Sequence, residues 1–269
     1  MDDYKQQVKE FYNSRTTYDH EEGTRHPLEA NLLLEYVPLH SGDKILDVAT
    51  GTGLVAIPAA KKVGLEGYVI GVDMTSGMLD QARQKIATAR LENIELIEAD
   101  AEFIDFSDGS FDVIFCCEAL VLFPDILAIL QKWYRFLKSG GFIAFTCPPE
   151  TAYLGSVYRS ICARVLGTSM THILEPLGTP ERCENMLQQA GFRDVEVKIV
   201  SSGRYRNCRE DRLSQKRINL SFKGNPLLST LSQIQLEQLQ IEYIAEIEKL
   251  GTDQGIWEDT TKFLVRARK

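Results

Sequence analysis

An acid, a glycine-rich turn and a second acid occur in order in the first third of the chain. Residues 44–49 form an apolar run with branched side chains around Asp47, which suits a parallel strand covered on both faces. The glycines of Thr50-Gly-Thr-Gly53 allow a sharp turn and a close approach to a ligand, because they carry no Cβ. Asp73 ends the next apolar run, 20 residues after Gly53. A carboxylate in that place commonly accepts both hydroxyls of a ribose, so the stretch predicts a nucleoside-binding site.

The charge of Asp47 separates two classes of ligand that use such a turn. A dinucleotide needs loop amides and a helix end around its pyrophosphate, and an acid beside it would add a like charge. S-adenosylmethionine has no phosphate and carries a sulfonium and an ammonium group, both of which an acid would attract. The turn is therefore predicted to bind S-adenosylmethionine rather than a dinucleotide.

Several motifs in order resemble one family. Residues 47–53, Asp-Val-Ala-Thr-Gly-Thr-Gly, resemble the first motif of class I S-adenosylmethionine-dependent methyltransferases, with Ala49 where many members carry a glycine. The segments 100–103 and 106–112 are similar to later motifs of the same family. The resemblance covers residues 40–150 well, and it includes the ubiquinone and menaquinone biosynthesis methyltransferases, which act on small molecules.

The resemblance implies a set of cofactor-binding residues. In the family, an Asp in the place of Asp100 receives the adenine amino group, and a neighbouring backbone amide meets a ring nitrogen. A pair similar to Tyr18-Asp19 lies in a lid above the cofactor. A turn cap is the alternative for Asp100, and a surface turn for Tyr18-Asp19. The expected cofactor-binding residues are Tyr18, Asp47, Ala49, Thr50, Gly51, Thr52, Gly53, Asp73, Met74, Asp100, Ala101, Glu102 and Cys117.

The expected reaction is an in-line displacement on the sulfonium methyl by an atom of the acceptor. Alignment of the two reactants contributes about 7 to 11 kcal/mol, whereas one general base gives about 10²- to 10⁴-fold. A base therefore helps a hydroxyl acceptor without being obligatory. His26, His172 and Glu118 are the candidate bases, each with a structural or surface role as the alternative.

The leading expectation for the function is methylation of a small metabolite at oxygen. Carbon methylation of a quinone-like ring and nitrogen methylation stay open, as does a catalytically inactive S-adenosylmethionine binder that serves as a partner subunit. Residues 117–119, Cys-Glu-Ala, differ from the Asn or Asp-Pro-Pro of adenine-amino methyltransferases, which disfavours nucleic-acid bases. The formal net charge of -8 also argues against a nucleic-acid partner.

Composition bounds the remaining possibilities. The six cysteines have no CxxC spacing, and the acids of catechol-type methyltransferases are not evident, so no metal is predicted. No apolar run reaches the ~20 residues of a membrane span, and no signal peptide is recognisable. We expect a cytoplasmic protein that is a monomer or a homodimer and acts on a small molecule.

The elements that position these residues alternate between strand and helix, which indicates an α/β fold. The family resemblance implies a Rossmann-like seven-stranded sheet in the order 3-2-1-4-5-7-6, with the last strand antiparallel. One methyltransferase domain is expected over residues 1–269. Residues 1–38 are predicted to form an N-terminal helical lid, and residues 150–190 and 209–250 to form cap insertions.

Three local boundaries follow from turn and capping residues. A helix is expected from Leu54 to Val63, bent or delayed by Pro58. Ser76 is expected to cap the next helix. The turn at residues 138–141, Lys-Ser-Gly-Gly, is expected to precede a fifth strand.

Overall fold

The structure is a computed structural model that describes residues 3–21, 24–206, 220–223, 225, 228 and 231–269. The chain divides into two compact units. What we call the large unit contains the described residues of 9–147, 181–198 and 264–269. What we call the small unit contains the described residues of 1–8, 148–180 and 199–263.

The main sheet confirms the predicted fold class. Its strands are β1 Lys44–Val48, β2 Tyr68–Asp73, β3 Ile94–Glu98, β4 Phe111–Cys116, β5 Leu137–Cys147, β6 Arg193–Val200 and β10 Lys262–Arg268. They form a seven-stranded mixed sheet in the order β3-β2-β1-β4-β5-β10-β6. Because β10 is the seventh strand of this sheet along the chain, this is the predicted order. Strand β1 is central, parallel to both β2 and β4.

Helices flank this sheet and fix the end of β1. They are α1 Asp3–Asn13, α2 His26–Tyr36, α3 Ala56–Val63, α4 Ser76–Ala89, α5 Ile126–Phe136 and α7 Pro180–Gln189. Leu33 of α2, Ile45 of β1 and Val63 of α3 belong to one cluster and are fully buried. Burying side chains of this size contributes about 1.5 to 3 kcal/mol each. This packing stabilises the position of β1 and of the turn that follows it.

Of the three predicted boundaries, one agrees with the structure and two differ from it. The helix after the turn begins at Ala56, so Pro58 lies in its first turn, where a missing N–H costs no intrahelical hydrogen bond. This agrees with the expected delay. The prediction that Ser76 caps α4 is wrong, because Thr75 is the N-cap and makes no side-chain cap hydrogen bond. The Thr75 hydroxyl donates to Asp73 instead.

The predicted turn at residues 138–141 lies inside β5, which begins at Leu137. A Cβ on Gly141 would lie 2.8 Å from the Asp112 carbonyl oxygen. The pairing of β5 with β4 shifts register here, from Phe111 paired with Leu137 to Val113 paired with Phe142, so residues 138–141 form an irregular segment within the strand rather than a turn before it. Gly141 permits the close backbone approach at this point.

The small unit contains two packed helices and a second sheet. Helices α6 Gly155–Leu166 and α8 Gln233–Leu250 share a buried cluster that includes Tyr158 and Tyr243. The strands β7 Gly203–Arg206, β8 Gly251–Thr252 and β9 Gly255–Asp259 form an antiparallel sheet in the order β7-β9-β8. Helix α8 lies within the second predicted cap insertion, residues 209–250.

The predicted domain organisation remains a prediction. Residues 1–2 and 22–23 of the expected lid lie outside the described residues. So do residues 209–219, 224, 226–227 and 229–230 of the second expected cap insertion. Within the described part of the chain, every helix is too short or too polar to cross a membrane.

Candidate active site

A cavity that opens to solvent lies where β1 and β4 end. Ligands of open α/β sheets bind at this carboxyl edge of the strands. The lining residues are Tyr18, His26, Asp47, Ala49, Thr50, Gly51, Thr52, Leu54, Val55, Cys117 and Glu118. They include seven of the predicted cofactor residues and two of the three candidate bases. The other predicted cofactor residues, all described, are not part of this lining: Gly53, Asp73, Met74, Asp100, Ala101 and Glu102.

The turn after β1 has an unusual backbone. Ala49, Gly51 and Gly53 have φ angles of 55°, 54° and 79°, in the left-handed region. That region costs a non-glycine residue about 1 to 2 kcal/mol, which explains why glycine suits position 49 in the family. A Cβ on Gly53 would lie 2.8 Å from Ile57 Cδ1, whereas one on Gly51 would meet only Met78 Cε, at 3.8 Å. Packing and backbone conformation therefore both favour the glycine at 53, and backbone conformation favours the one at 51.

Asp47 joins the turn to the start of α3. Its Oδ2 accepts hydrogen bonds from Thr50 Oγ1 at 2.6 Å and from the Ala56 backbone N–H at 3.1 Å. Burial raises the pKa of this carboxyl to about 7, although both hydrogen bonds lower it. A cation beside Asp47 would stabilise its ionised form. The buried acid thus fits a cofactor that carries positive charge.

Asp73 fixes the same turn from the end of β2. Its Oδ2 accepts from the Gly51 backbone N–H at 2.8 Å, and its Oδ1 accepts from the Thr75 backbone N–H at 2.9 Å. Burial raises the pKa of Asp73. The Thr75 hydroxyl and the Met74 backbone N–H also donate to Asp73. These four donors match the roughly four acceptor positions of an ionised carboxylate, so ribose hydroxyls have to share or replace one of them.

The predicted adenine contacts lie at the end of β3. Asp100 Oδ1 accepts from the Glu102 backbone N–H at 3.0 Å, the turn-capping contact of the structural alternative. Ala101 is buried, and Lys132 Nζ donates to the Glu102 carbonyl oxygen at 2.9 Å. Met74 donates its backbone N–H to Asp73. The adenine and ribose roles of these residues stay predictions.

Tyr18 and Asp19 contact the cavity and its turn. The Tyr18 ring stacks on His26 with centroids 4.4 Å apart, and the Arg15 guanidinium lies 4.4 Å from the Tyr18 centroid. Burial raises the pKa of Tyr18, so its hydroxyl stays protonated at neutral pH. Asp19 accepts a hydrogen bond from Thr52 Oγ1 at 2.5 Å and pairs with Lys85 Nζ at 2.6 Å. The sequence indicated Tyr18 but gave no sign of the contacts of Asp19.

Three polar side chains lie close together near the cavity, those of His26, Glu29 and Glu118. His26 Nδ1 lies 3.8 Å from Oε2 of Glu29, a residue that is only 3% exposed. Ligand atoms of His26, Glu29 and Glu118 all lie within 4.8 Å of one another. Sequence reasoning missed Glu29, although its position three residues after His26 on a helix brings the two side chains together.

A histidine nitrogen and two carboxylates are a set that can hold a divalent transition-metal ion. The sequence predicts no metal, and that expectation stays a prediction.

Cys117 and Glu118 follow β4. Burial raises the pKa of the Cys117 thiol well above its usual value, and the nearby Glu118 charge adds to the rise. Cys117 is therefore a neutral thiol at physiological pH rather than a nucleophile. Glu118 has a φ of 59°, and its backbone N–H donates to Thr146 Oγ1 at 2.8 Å.

His172, the third candidate base, belongs to the small unit. Its Nδ1 accepts from the Leu174 backbone N–H at 3.3 Å, and its own backbone N–H donates to Glu175 at 2.8 Å. Burial lowers the pKa of His172 to about 4. The imidazole is thus neutral, with its proton on Nε2, and its contacts stabilise the loop at residues 172–175.

Comparison with known proteins gives relatives of one enzyme class. Residues 45–141 match the family described as methyltransferase domain. An aklanonic acid methyltransferase from a Streptomyces species is 35% identical over 146 residues, which are 54% of this chain and 66% of that protein. A demethylmenaquinone methyltransferase from Staphylococcus saprophyticus is 31% identical over 186 residues, 64% of this chain and 79% of that protein. The chain spans 47% of the length of a Listeria monocytogenes demethylmenaquinone methyltransferase, at 37% identity.

Solved structures share the fold. A S-adenosylmethionine-dependent methyltransferase from Aquifex aeolicus has a TM-score of 0.52 at 21% identity, covering 70% of this chain and 91% of that one. The Haemonchus contortus phosphoethanolamine N-methyltransferase 2, solved with S-adenosyl-L-methionine, has a TM-score of 0.57 at 19% identity, covering 97% of this chain and 57% of that one. At such identities the likeness concerns the fold alone. The Staphylococcus saprophyticus relative is matched over 79% of its length, and the predicted motif lies at the end of β1. This chain therefore belongs to the class I S-adenosylmethionine-dependent methyltransferase family.

Proposed function

We propose that this chain transfers the methyl group of S-adenosylmethionine to a hydroxyl oxygen of a small acceptor. The observation that carries the proposal is that His26 and Glu118 line the same cavity as the turn formed by residues 49–52. When bound, the cofactor supplies an electrophilic methyl group on a sulfonium. A hydroxyl that attacks it must lose its proton, and an imidazole in the cavity is a suitable acceptor for that proton.

The chain's own residues fit the charges of this cofactor. Asp47 offers a buried carboxyl to the positive end, and the lack of a side chain at Gly51 allows the cofactor to approach the turn closely. Asp73 and Asp100 are the proposed partners of the ribose and the adenine amino group. Tyr18, with Asp19 held by Thr52, is proposed to close the N-terminal lid over the cofactor.

The charge of the cavity restricts the acceptor. Among the described residues that line it are Asp47 and Glu118 but no Lys or Arg. A carboxylate or phosphate on the acceptor would meet like charge without a compensating cation. We therefore propose a neutral phenol, enol or hydroquinone as the acceptor class.

Carbon methylation of a quinone-like ring is the second candidate. It is favoured by the relatives that are named demethylmenaquinone methyltransferases. A ring carbon becomes nucleophilic when an adjacent hydroxyl loses its proton, so the same base serves both reactions. The position of the new methyl group on the product distinguishes them.

The test uses S-adenosylmethionine with a deuterated methyl group and a panel of neutral phenols, hydroquinones, amines and carboxylic acids. Mass spectrometry detects the labelled product, and NMR assigns the methyl group to oxygen, carbon or nitrogen. The proposal expects an O-methylated phenol or enol together with S-adenosylhomocysteine. A labelled ring carbon or amine contradicts it. Tight cofactor binding by calorimetry without any product identifies an inactive binder.

A further inference from the structure

A buried acid outside the proposed machinery lies next to the candidate base. Glu29 is on the core-facing side of α2 with Ala30, Leu33 and Leu34, and it is 3% exposed. Glutamates are rarely buried to this degree unless they are paired, because removal of a carboxylate from water is costly. Its side chain therefore needs a polar neighbour, and the site supplies one.

The neighbours of Glu29 include His26, the cation of Arg25 and the carboxylate of Glu118. His26 Nδ1 lies 3.8 Å from Glu29 Oε2, and Arg25 Nε lies 3.8 Å from Glu29 Oε1. The imidazole ring is parallel to the Tyr18 ring, with an interplanar angle of 1°. Stacking fixes the plane of the imidazole, and Nδ1 is the imidazole nitrogen that pairs with the Glu29 carboxylate.

We propose that Glu29 is a positioning residue that holds a proton on His26 Nδ1 and so leaves Nε2 as the proton acceptor for the substrate hydroxyl. A carboxylate selects the tautomer of a neighbouring histidine by accepting its N–H, and it stabilises the imidazolium once that forms. The separation of 3.8 Å is longer than a hydrogen bond. Contacts of this kind are often long before substrate binds.

The proton and electron balance is simple, and it rests on the proposed O-methylation. The acceptor O–H bond breaks and its proton bonds to His26 Nε2. The electron pair on oxygen forms the new bond to the methyl carbon, and the pair of the carbon–sulfur bond stays on sulfur. The imidazolium then releases its proton to water.

A first test needs no turnover. Nitrogen-15 NMR of the imidazoles, with His26 assigned by a His26→Gln variant among the four histidines of the chain, reports which nitrogen carries the proton. The wild type is expected to show the Nδ1–H tautomer, and Glu29→Gln is expected to lose that preference. An Nε2–H tautomer in the wild type overturns the proposal.

The kinetic test uses phenols of graded acidity. With a weakly acidic phenol, Glu29→Gln is expected to lower kcat by about 10- to 150-fold, the worth of a hydrogen bond to a charged group. With a phenol already ionised at the assay pH, its kcat is expected to stay within about 2-fold of the wild type, since no proton has to leave. The matched control Glu35→Gln, an exposed residue of the same helix, leaves both rates unchanged.

The outcomes separate the two proposals. Equal loss for both phenols means a structural role for Glu29 and overturns the inference, and so does no loss for either. If a thermal melt shows that Glu29→Gln is not folded, His26→Gln takes its place. The rate of His26→Gln has to depend on phenol acidity in the same way, and a rate without that dependence overturns the inference. A wild type that methylates carbon or nitrogen acceptors only, with the cofactor bound, removes the proposed function itself.

Discussion

Asp47 is expected to make the binding of S-adenosylmethionine depend on pH. Its carboxyl is 1% exposed, and burial raises its pKa to about 7. The ionised form attracts a sulfonium or an ammonium group, whereas the protonated form does not. The affinity is therefore expected to increase as the pH rises through 7.

The magnitude follows from the ionised fraction. With a pKa of about 7, about one tenth of Asp47 is ionised at pH 6 and about nine tenths at pH 8. If only the ionised form binds the cation, the affinity rises about 10-fold, or about 1.4 kcal/mol.

In the absence of cofactor, the free energy of unfolding changes with pH in the opposite direction. Because the pKa in the folded protein exceeds the value of 3.8 expected on unfolding, the free energy of unfolding falls as pH rises from about 4 to about 7.

Calorimetry at pH 6, 7 and 8 in buffers of different ionisation enthalpy measures both the affinity and the proton released. Asp47→Asn removes the titrating group and is expected to abolish the pH dependence. Asp73→Asn is the matched control, because burial also raises the pKa of Asp73. This variant is expected to retain the pH dependence but to move it to lower pH, since the charge of Asp73 contributes to the raised pKa of Asp47. S-adenosylhomocysteine, which lacks the sulfonium charge, is expected to show a smaller rise. A pH dependence that persists in Asp47→Asn would refute the reasoning.

Three further variants test the neighbouring contacts. Asp73→Ala is expected to weaken the cofactor about 10- to 150-fold, since hydrogen bonds to charged groups contribute about 1.5 to 3 kcal/mol, with Asp73→Asn intermediate by calorimetry. A lower melting temperature with unchanged affinity would instead mean a purely structural role. Gly51→Val is expected to abolish cofactor binding and to cost about 1 to 2 kcal/mol of stability at a φ of 54°, and wild-type affinity in the folded variant contradicts the site. Asp19→Asn weakens the pairing with Lys85 and is expected to change the melting temperature little, because partly exposed pairs contribute about 0 to 1 kcal/mol. If Asp19 belongs to a lid, the Asp19→Asn variant is expected to release the cofactor faster than the wild type, as measured by stopped flow.

The turn at the end of β1 was predictable because its cause is local. Glycine at 51 and 53 and an acid at 47 define a backbone conformation and a charge within seven residues of sequence. The alternation of strands and helices was predictable for the same reason. The order of the strands came from the family resemblance, since hydrophobic periodicity alone does not state which strand neighbours which.

The contacts that complete the site were not predictable from local pattern. Asp19 is paired with Lys85, 66 residues away, and with Thr52, 33 residues away. Glu29 occupies a buried position on α2 where the pattern expects an apolar side chain. The misread turn at residues 138–141 has a similar cause. The glycines there allow an irregularity and a close backbone approach in the pairing of β5 with β4, which the local pattern does not reveal.

Backbone strain links the cofactor turn to the proposed acceptor side of the cavity. Ala49 follows β1 with a φ of 55°, and Glu118 follows the neighbouring strand β4 with a φ of 59°. Such conformations cost non-glycine residues of order 1 to 3 kcal/mol and persist only where the surrounding structure enforces them. Here the enforcing contacts are hydrogen bonds at the two strand ends, from Thr50 to Asp47 and from Glu118 to Thr146. The described residues also include five other non-glycine residues with positive φ that do not line this cavity: Arg90, Tyr153, Leu154, Asp194 and Lys223. Strain alone therefore does not mark the site, but at Ala49 and Glu118 it orients two neighbouring strand ends towards the same cavity.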